Sequence, residues 1–195
     1  DNVDQSDTNI VIENCLFNCL GNVVIRSDNI GGVLIRNCTF IGWSGGGAIR
    51  VAASLASGQT ITVNNCIFAN GGGAAVWATV TGEIIEDYNN FFTPTARTNV
   101  SAGAHSTSKI VNFDTRWFFE MVGGGSMLTP FDLASYSKLI NVAGTSPTAK
   151  DIRGTAKIGA EREWGAFEYD STLDIEGGGG AVRILPSYGK VGLSG

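Results

Sequence analysis

The sequence predicts an all-β chain, a parallel β-helix, on three observations. The first is a pattern that recurs four times: Ile10-Val11-Ile12-Glu13-Asn14-Cys15-Leu16-Phe17, Val33-Leu34-Ile35-Arg36-Asn37-Cys38-Thr39-Phe40, Ile61-Thr62-Val63-Asn64-Asn65-Cys66-Ile67-Phe68 and, degraded, Ile84-Ile85-Glu86-Asp87-Tyr88-Asn89-Asn90-Phe91. The second is its spacing. The Phe positions lie 23, 28 and 23 residues apart, and a strand-like unit repeating in the twenties buries its apolar face only against the next copy. The third is alternation: Ile10 and Ile12, Val33 and Ile35, and Ile61 and Val63 have period two, the mark of strands with one buried face. No 3.6-residue stripe crosses the first 93 residues, which argues against leucine-rich or helical repeats. The alternative, a β-sandwich, has no reason to repeat Asn-Cys-x-Phe in phase.

Taken in order, residues 1–9 are polar and lead straight into the first repeat, with no amphipathic cap before it. Each motif then bends at its Asn. A sharp corner between two strands needs a residue that tolerates the left-handed region, and Asn is the best after Gly. Asn14, Asn37 and Asn65 are therefore expected to stack as an amide ladder. Beside it would run a column of Cys15, Cys38, Cys66 and Asn89, and another of Phe17, Phe40, Phe68 and Phe91. A further strand per coil is expected at Val23–Arg26, Ala48–Val51 and Ala75–Ala78, after turns at Gly21-Asn22, Gly45–Gly47 and Gly71–Gly73. The triple glycines would form tight, smooth, exposed corners. In phase, Ile25, Ile49 and Val76 share one column facing in, and Arg26, Arg50 and Trp77 the next, facing out. The five extra residues of the long coil fall in a loop at 52–59.

The composition suits this architecture and excludes several others. Of 195 residues, 43% are hydrophobic, enough for one domain's core, and 27 are glycine, as a turn-dense chain requires. The 13 basic residues are scattered and the net charge is −5, so no nucleic-acid surface is expected. No apolar stretch approaches the roughly 18 residues of a membrane span. The chain opens at Asp1 without a signal peptide, as a processed chain or a piece of a longer one would. Three of the four cysteines fall in one inward column, where parallel side chains suit disulfide geometry poorly; buried free thiols are expected.

From Thr93 the phase is lost. Residues 110–121 are apolar and aromatic, residues 131–141 carry a short helical pattern, and the whole of 94–170 is expected to cap the coils of 1–93. Residues 171–195 form an arm hinged at Gly177–Gly180 and ending in the apolar run from Ala181 to Leu193. Here a resemblance enters. The run Asp87-Tyr88-Asn89-Asn90-Phe91-Phe92, then Gly103-Ala104-His105-Ser106, Ser146-Pro147, Asp151-Ile152-Arg153-Gly154 and Trp164-Gly165-Ala166-Phe167-Glu168-Tyr169 resembles the C-terminal part of secreted right-handed parallel β-helix proteins of the pectate-lyase-like superfamily. The resemblance covers roughly residues 10–170. It implies a right-handed coil and a secreted or virion location, but not a function, since that group mixes lyases, hydrolases, adhesins and phage tail proteins. This chain departs from the group in lacking the N-terminal cap and first coils, and in having Trp164 where Asp-Ile is common.

Candidate chemistry is sparse. Lyases on this fold use a Lys or Arg base, usually with calcium, and hydrolases use paired carboxylates. Glu13, Arg36, Asn64 and Asp87 form an outward column whose two acids lie three coils apart, about 14 Å by strand spacing, too far for the roughly 5 to 9.5 Å of a glycosidase pair. Asp4, Asp7 and Asp28 are turn formers rather than calcium ligands. His105 reads as structural, and Asp151, Arg153, Glu161 and Glu163 as a loop-locking set. No catalytic residue, metal site or cofactor is assigned. The outward feature with a binding rationale is Arg26, Arg50 and Trp77: aromatic faces stack on sugars and guanidinium forks grip carboxylates. Against it stands a cation–π pair of Arg50 and Trp77 that merely shields the sheet. The expectation is a non-enzymatic module of an extracellular or virion assembly, such as a phage spike, decoration protein or surface fibre. Its partners would be neighbouring protein chains and, through the outward column, a polysaccharide. The alternatives are a carbohydrate-binding module and a polysaccharide lyase or hydrolase.

Overall fold

The computed structural model describes residues 10–18 and 21–108. The first coil holds β1 (Ile10–Glu13), β2 (Leu16–Asn18) and β3 (Val23–Ser27), and the second β4 (Val33–Arg36), β5 (Thr39–Ile41) and β6 (Gly47–Val51). The third holds β7 (Ile61–Asn64), β8 (Ile67–Ala69) and β9 (Val76–Trp77), and the fourth β10 (Ile84–Asp87), β11 (Asn90–Phe92) and β12 (Arg97–Thr98); β13 (Thr107–Ser108) follows. They stack as three parallel sheets, β1-β4-β7-β10, β2-β5-β8-β11-β13 and β3-β6-β9-β12. The described residues are thus all-β, a parallel β-solenoid of about four turns. Each motif supplies the first two strands of a coil, and in the first three coils the run after the glycine corner supplies the third. The stacking continues past Thr93, since β12 pairs with β9 and β13 with β11.

Register follows the motif. Ile12, Ile35, Val63 and Glu86 are partners in the first sheet, Phe17, Phe40, Phe68 and Phe91 in the second, and Ile25, Ile49, Val76 and Arg97 in the third. The Phe rings stack face to face at 4.7, 4.9 and 5.1 Å, the spacing that strand pairing imposes. Asn14, Asn37 and Asn65 take φ of 52°, 49° and 56° at the bends. In the fourth coil Tyr88 takes this conformation, at 54°. Cys15, Cys38 and Cys66 are free thiols, each donating to the carbonyl two residues back at 3.2 Å. A small side chain with a weak donor fits the tight space behind the bend. Asn89 continues that column, accepting from the Cys66 amide at 2.8 Å and donating to the Val63 carbonyl at 2.7 Å. In β5 and β8 the residues beside the Phe column, Thr39, Ile41, Ile67 and Ala69, are buried as well.

The glycine corners differ from the smooth exposed turns expected. Trp43, buried, stands edge-on to Phe68 at 6.2 Å and donates its indole N–H to the Ala74 carbonyl at 3.1 Å. Its ring occupies the space a Cβ at Gly71 would need, so that glycine is there for close approach rather than exposure. The loop at 52–59 is tied down from below. Glu83, itself buried, accepts the Leu55 amide at 2.7 Å and the Val80 amide at 2.8 Å.

The two ends of the described solenoid differ in polarity. At the first coil the inward side chains Ile12, Cys15, Phe17 and Ile25 are half-buried, and Ile10 is 40% exposed. At the fourth, Glu86, Asn89 and Arg97 stand where the coil before has Val63, Cys66 and Val76.

Candidate functional site

The third sheet positions the residues that the sequence singled out. β3, β6 and β9 alternate in and out, and pairing sets Arg26 beside Arg50 and Arg50 beside Trp77, with Thr98 of β12 next. The column is real, but its members are not equivalent. Arg26 donates from Nε to Asp28 Oδ1 at 2.9 Å, both side chains being more than half exposed. Its charge is answered within its own coil. Arg50 lies over the Trp77 indole, its guanidinium carbon 4.4 Å from the ring centroid. That is the cation–π contact weighed against the glycan reading, and it covers one face of the indole. The Arg50 Nε is enclosed and has no hydrogen-bond partner.

The outward charges of the first sheet pair between coils. Arg36 donates from Nε to Glu13 Oε2 at 2.8 Å. Asp87, at the far end of that column, accepts the His105 amide at 2.8 Å and meets His105 Nδ1 at 2.9 Å, while the His105 ring stacks on Tyr88 at 4.3 Å. Burial pushes the Asp87 carboxyl up, but the bonds from the His105 ring and amide and from the Tyr88 amide outweigh it and hold the group below its ordinary value. His105 thus latches the 103–106 turn onto β10. Gly103 sits against the backbone of Glu86 and Asp87, where a Cβ would collide.

Sequence reasoning missed the most heavily bonded group. Glu86, buried, accepts from Arg97 Nε at 2.7 Å, from the Gly103 amide at 2.7 Å and from Asn89 Nδ2 at 2.8 Å, with the Ser106 hydroxyl as a further donor. Arg97 lies over the Phe91 ring at 4.4 Å. The available signal was Glu86 in the place of Val63; Arg97 carried none, because its strand follows the break in phase. Among the described residues no group of three or more His, Cys, Asp or Glu side chains is arranged to hold a metal, and no helix is long and apolar enough to cross a membrane. Asp4, Asp7, Asp151, Arg153, Glu161 and Glu163, most of the capping region 94–170 and the arm 171–195 lie outside the described residues. No protein-family model, no curated protein and no solved structure matches the chain.

Proposed function

We propose that this chain is a non-enzymatic structural module of an extracellular or virion assembly, built as a parallel β-solenoid and covered in part by neighbouring chains. The observation that carries the reading is the state of its buried carboxylates. Glu83 and Glu86 are both filled with donors that hold loops and turns in place, so their oxygens are spent on structure. The half-buried first coil supports a covered end, since strand edges beside exposed apolar groups invite pairing. The motif resemblance noted in the sequence, to the C-terminal part of pectate-lyase-like β-helix proteins, points to the same class of extracellular part.

The test is light scattering on the full chain and on a chain ending at residue 176, without the glycine joint and apolar arm. The full chain should assemble, and the shortened one should keep its β circular dichroism but fall to monomers. A full chain that is monomeric at high concentration, with residues 181–193 protected from protease, would overturn the proposal. A second reading, carbohydrate binding on the third sheet, is favoured by the register that sets Arg26, Arg50 and Trp77 in one outward column, and would then take its place.

A further inference from the structure

The outer faces of the three sheets differ in burial. On the first, the outward side chains of the end coils stand in solvent, Val11 50% and Ile85 53% exposed. On the third, Arg26 is exposed and Arg50 and Trp77 are half-buried. On the second, the positions that alternate with the inward Phe column are Thr39, Ile41, Ile67, Ala69 and Asn90, and all are 5% exposed or less. Ile41, Ile67 and Ala69 do not belong to the core cluster inside the coils, although they are as deeply buried. Neighbours in one sheet flank an outward side chain but leave its tip bare, as on the first sheet, so this face is packed beneath a further layer. The described loops do not supply that layer. They turn corners between sheets: the 52–59 loop is tied to Glu83 between the third and first sheets, and the 103–106 turn lies on Glu86 and Asp87 of the first.

We propose that the outer face of the second sheet is an internal docking surface, and that its occupant is the chain's own aromatic segment 110–121, folded back along the side of the solenoid rather than over its end. Three observations choose this segment. β13 (Thr107–Ser108) pairs with β11, so the chain leaves the described coils at the last strand of this same sheet, two residues before Ile110. The burial follows that exit: it is deep on β5, β8 and at Asn90, and fades at the first coil, where Leu16 is half-buried and Asn18 exposed. Returning from the fourth coil to the second needs only about 10 Å at strand spacing, which twelve residues at about 3.3 Å each exceed several-fold. The segment carries Ile110, Val111, Phe113, Trp117, Phe118 and Phe119, the apolar area that Ile41, Ile67 and Ala69 call for. Asn90 adds a polar mark. Its Nδ2 donates to Thr107 Oγ1 at 2.8 Å, while its enclosed Oδ1 has no partner among the described residues, and a buried amide oxygen calls for a donor from whatever lies over it. Asn112, Thr115 and Trp117 each bring one. The inference goes beyond the assembly reading and does not rest on it: it removes this face from the surfaces open to a partner.

Two measurements on the full chain test it. The first places the photo-cross-linker p-benzoylphenylalanine at Phe92, a half-buried aromatic on the same face, and at Ile85 on the exposed first sheet as a control. Mass spectrometry of the digested product should find Phe92 joined to a peptide within 110–121 of the same chain, and Ile85 not. A cross-link from Phe92 to residues 122–195, or to a second copy as a cross-linked dimer, would overturn the choice of occupant, and the absence of any cross-link would overturn the covered face. The second follows amide hydrogen exchange in residues 110–121. Ile67→Ser should speed it about tenfold or more, since the segment loses an apolar contact that holds it down, whereas Ile85→Ser should leave it unchanged. Exchange in 110–121 that is the same in wild type and Ile67→Ser, or is raised equally by both substitutions, would overturn the inference. If Ile67→Ser does not fold, the cross-link from Phe92 decides alone.

Discussion

Tyr88 holds a left-handed backbone that asparagine holds at the equivalent place in every earlier coil. A left-handed L-residue costs roughly 1–2 kcal/mol, and Asn is among the few that adopt the conformation routinely. Tyr88 is kept there by Asp87 Oδ1, which accepts its amide at 2.9 Å, and by the His105 ring stacked on its own. Asp87 is therefore the residue on which this corner turns, and its depressed pKa makes the dependence visible. The folded value lies below the unfolded one, so the contribution is complete above the ordinary aspartate value of about 3.9 and is lost as pH falls through the folded value. Melting curves from pH 7 downward should show wild type losing stability below about pH 4 by more than Asp87→Asn does. Parallel curves for the two proteins would show that the corner does not depend on the ionised carboxylate.

The element that distinguishes this chain from a plain repeat is its fourth coil. Inward positions that are Val63, Cys66 and Val76 one coil earlier become Glu86, Asn89 and Arg97, so at this coil apolar contacts give way to an ion pair of 2.6 Å between side chains 0% and 15% exposed. A buried pair gains little over apolar packing, but breaking it strands a charge. Glu86→Gln should accordingly cost about 3 to 5 kcal/mol in urea unfolding. Glu86→Val with Arg97→Val, which restores the repeat, should cost much less than the two single changes added together. Additive losses would mean that the two side chains act separately, through Gly103 and Phe91, rather than as a pair.

At the scale of the whole molecule, each coil touches only its neighbours, so stability is a sum of contacts between adjacent coils. Phe68 is stacked on both faces and fully buried, whereas Phe17 has one stacked neighbour and is half-buried. Phe68→Ala should cost about 3 to 5 kcal/mol, the usual range for a buried ring, and Phe17→Ala distinctly less. If a neighbouring chain covers the first coil, as proposed, the Phe17→Ala loss should rise in the assembled particle. Unfolding free energies measured below and above the assembly concentration would check this, and a Phe17→Ala loss that is the same in both would count against a covered first coil.

The sequence by itself determined the repeat and almost everything the repeat implies: the parallel stacking, the Asn bends at 14, 37 and 65, the Cys and Phe columns, and the outward column of Arg26, Arg50 and Trp77. These are legible because a solenoid converts sequence period directly into spatial register, so equal phase means contact. Only the tertiary structure decided how that column is used, sending Arg26 to Asp28 and laying Arg50 on Trp77. Side-chain partners depend on rotamers and on corners that have no period. For the same reason Trp43 filling the space at Gly71, Glu83 holding the 52–59 loop and Arg97 reaching Glu86 were not legible. Each has at least one partner in a segment outside the motif, where phase carries no information and only the folded backbone sets which groups meet.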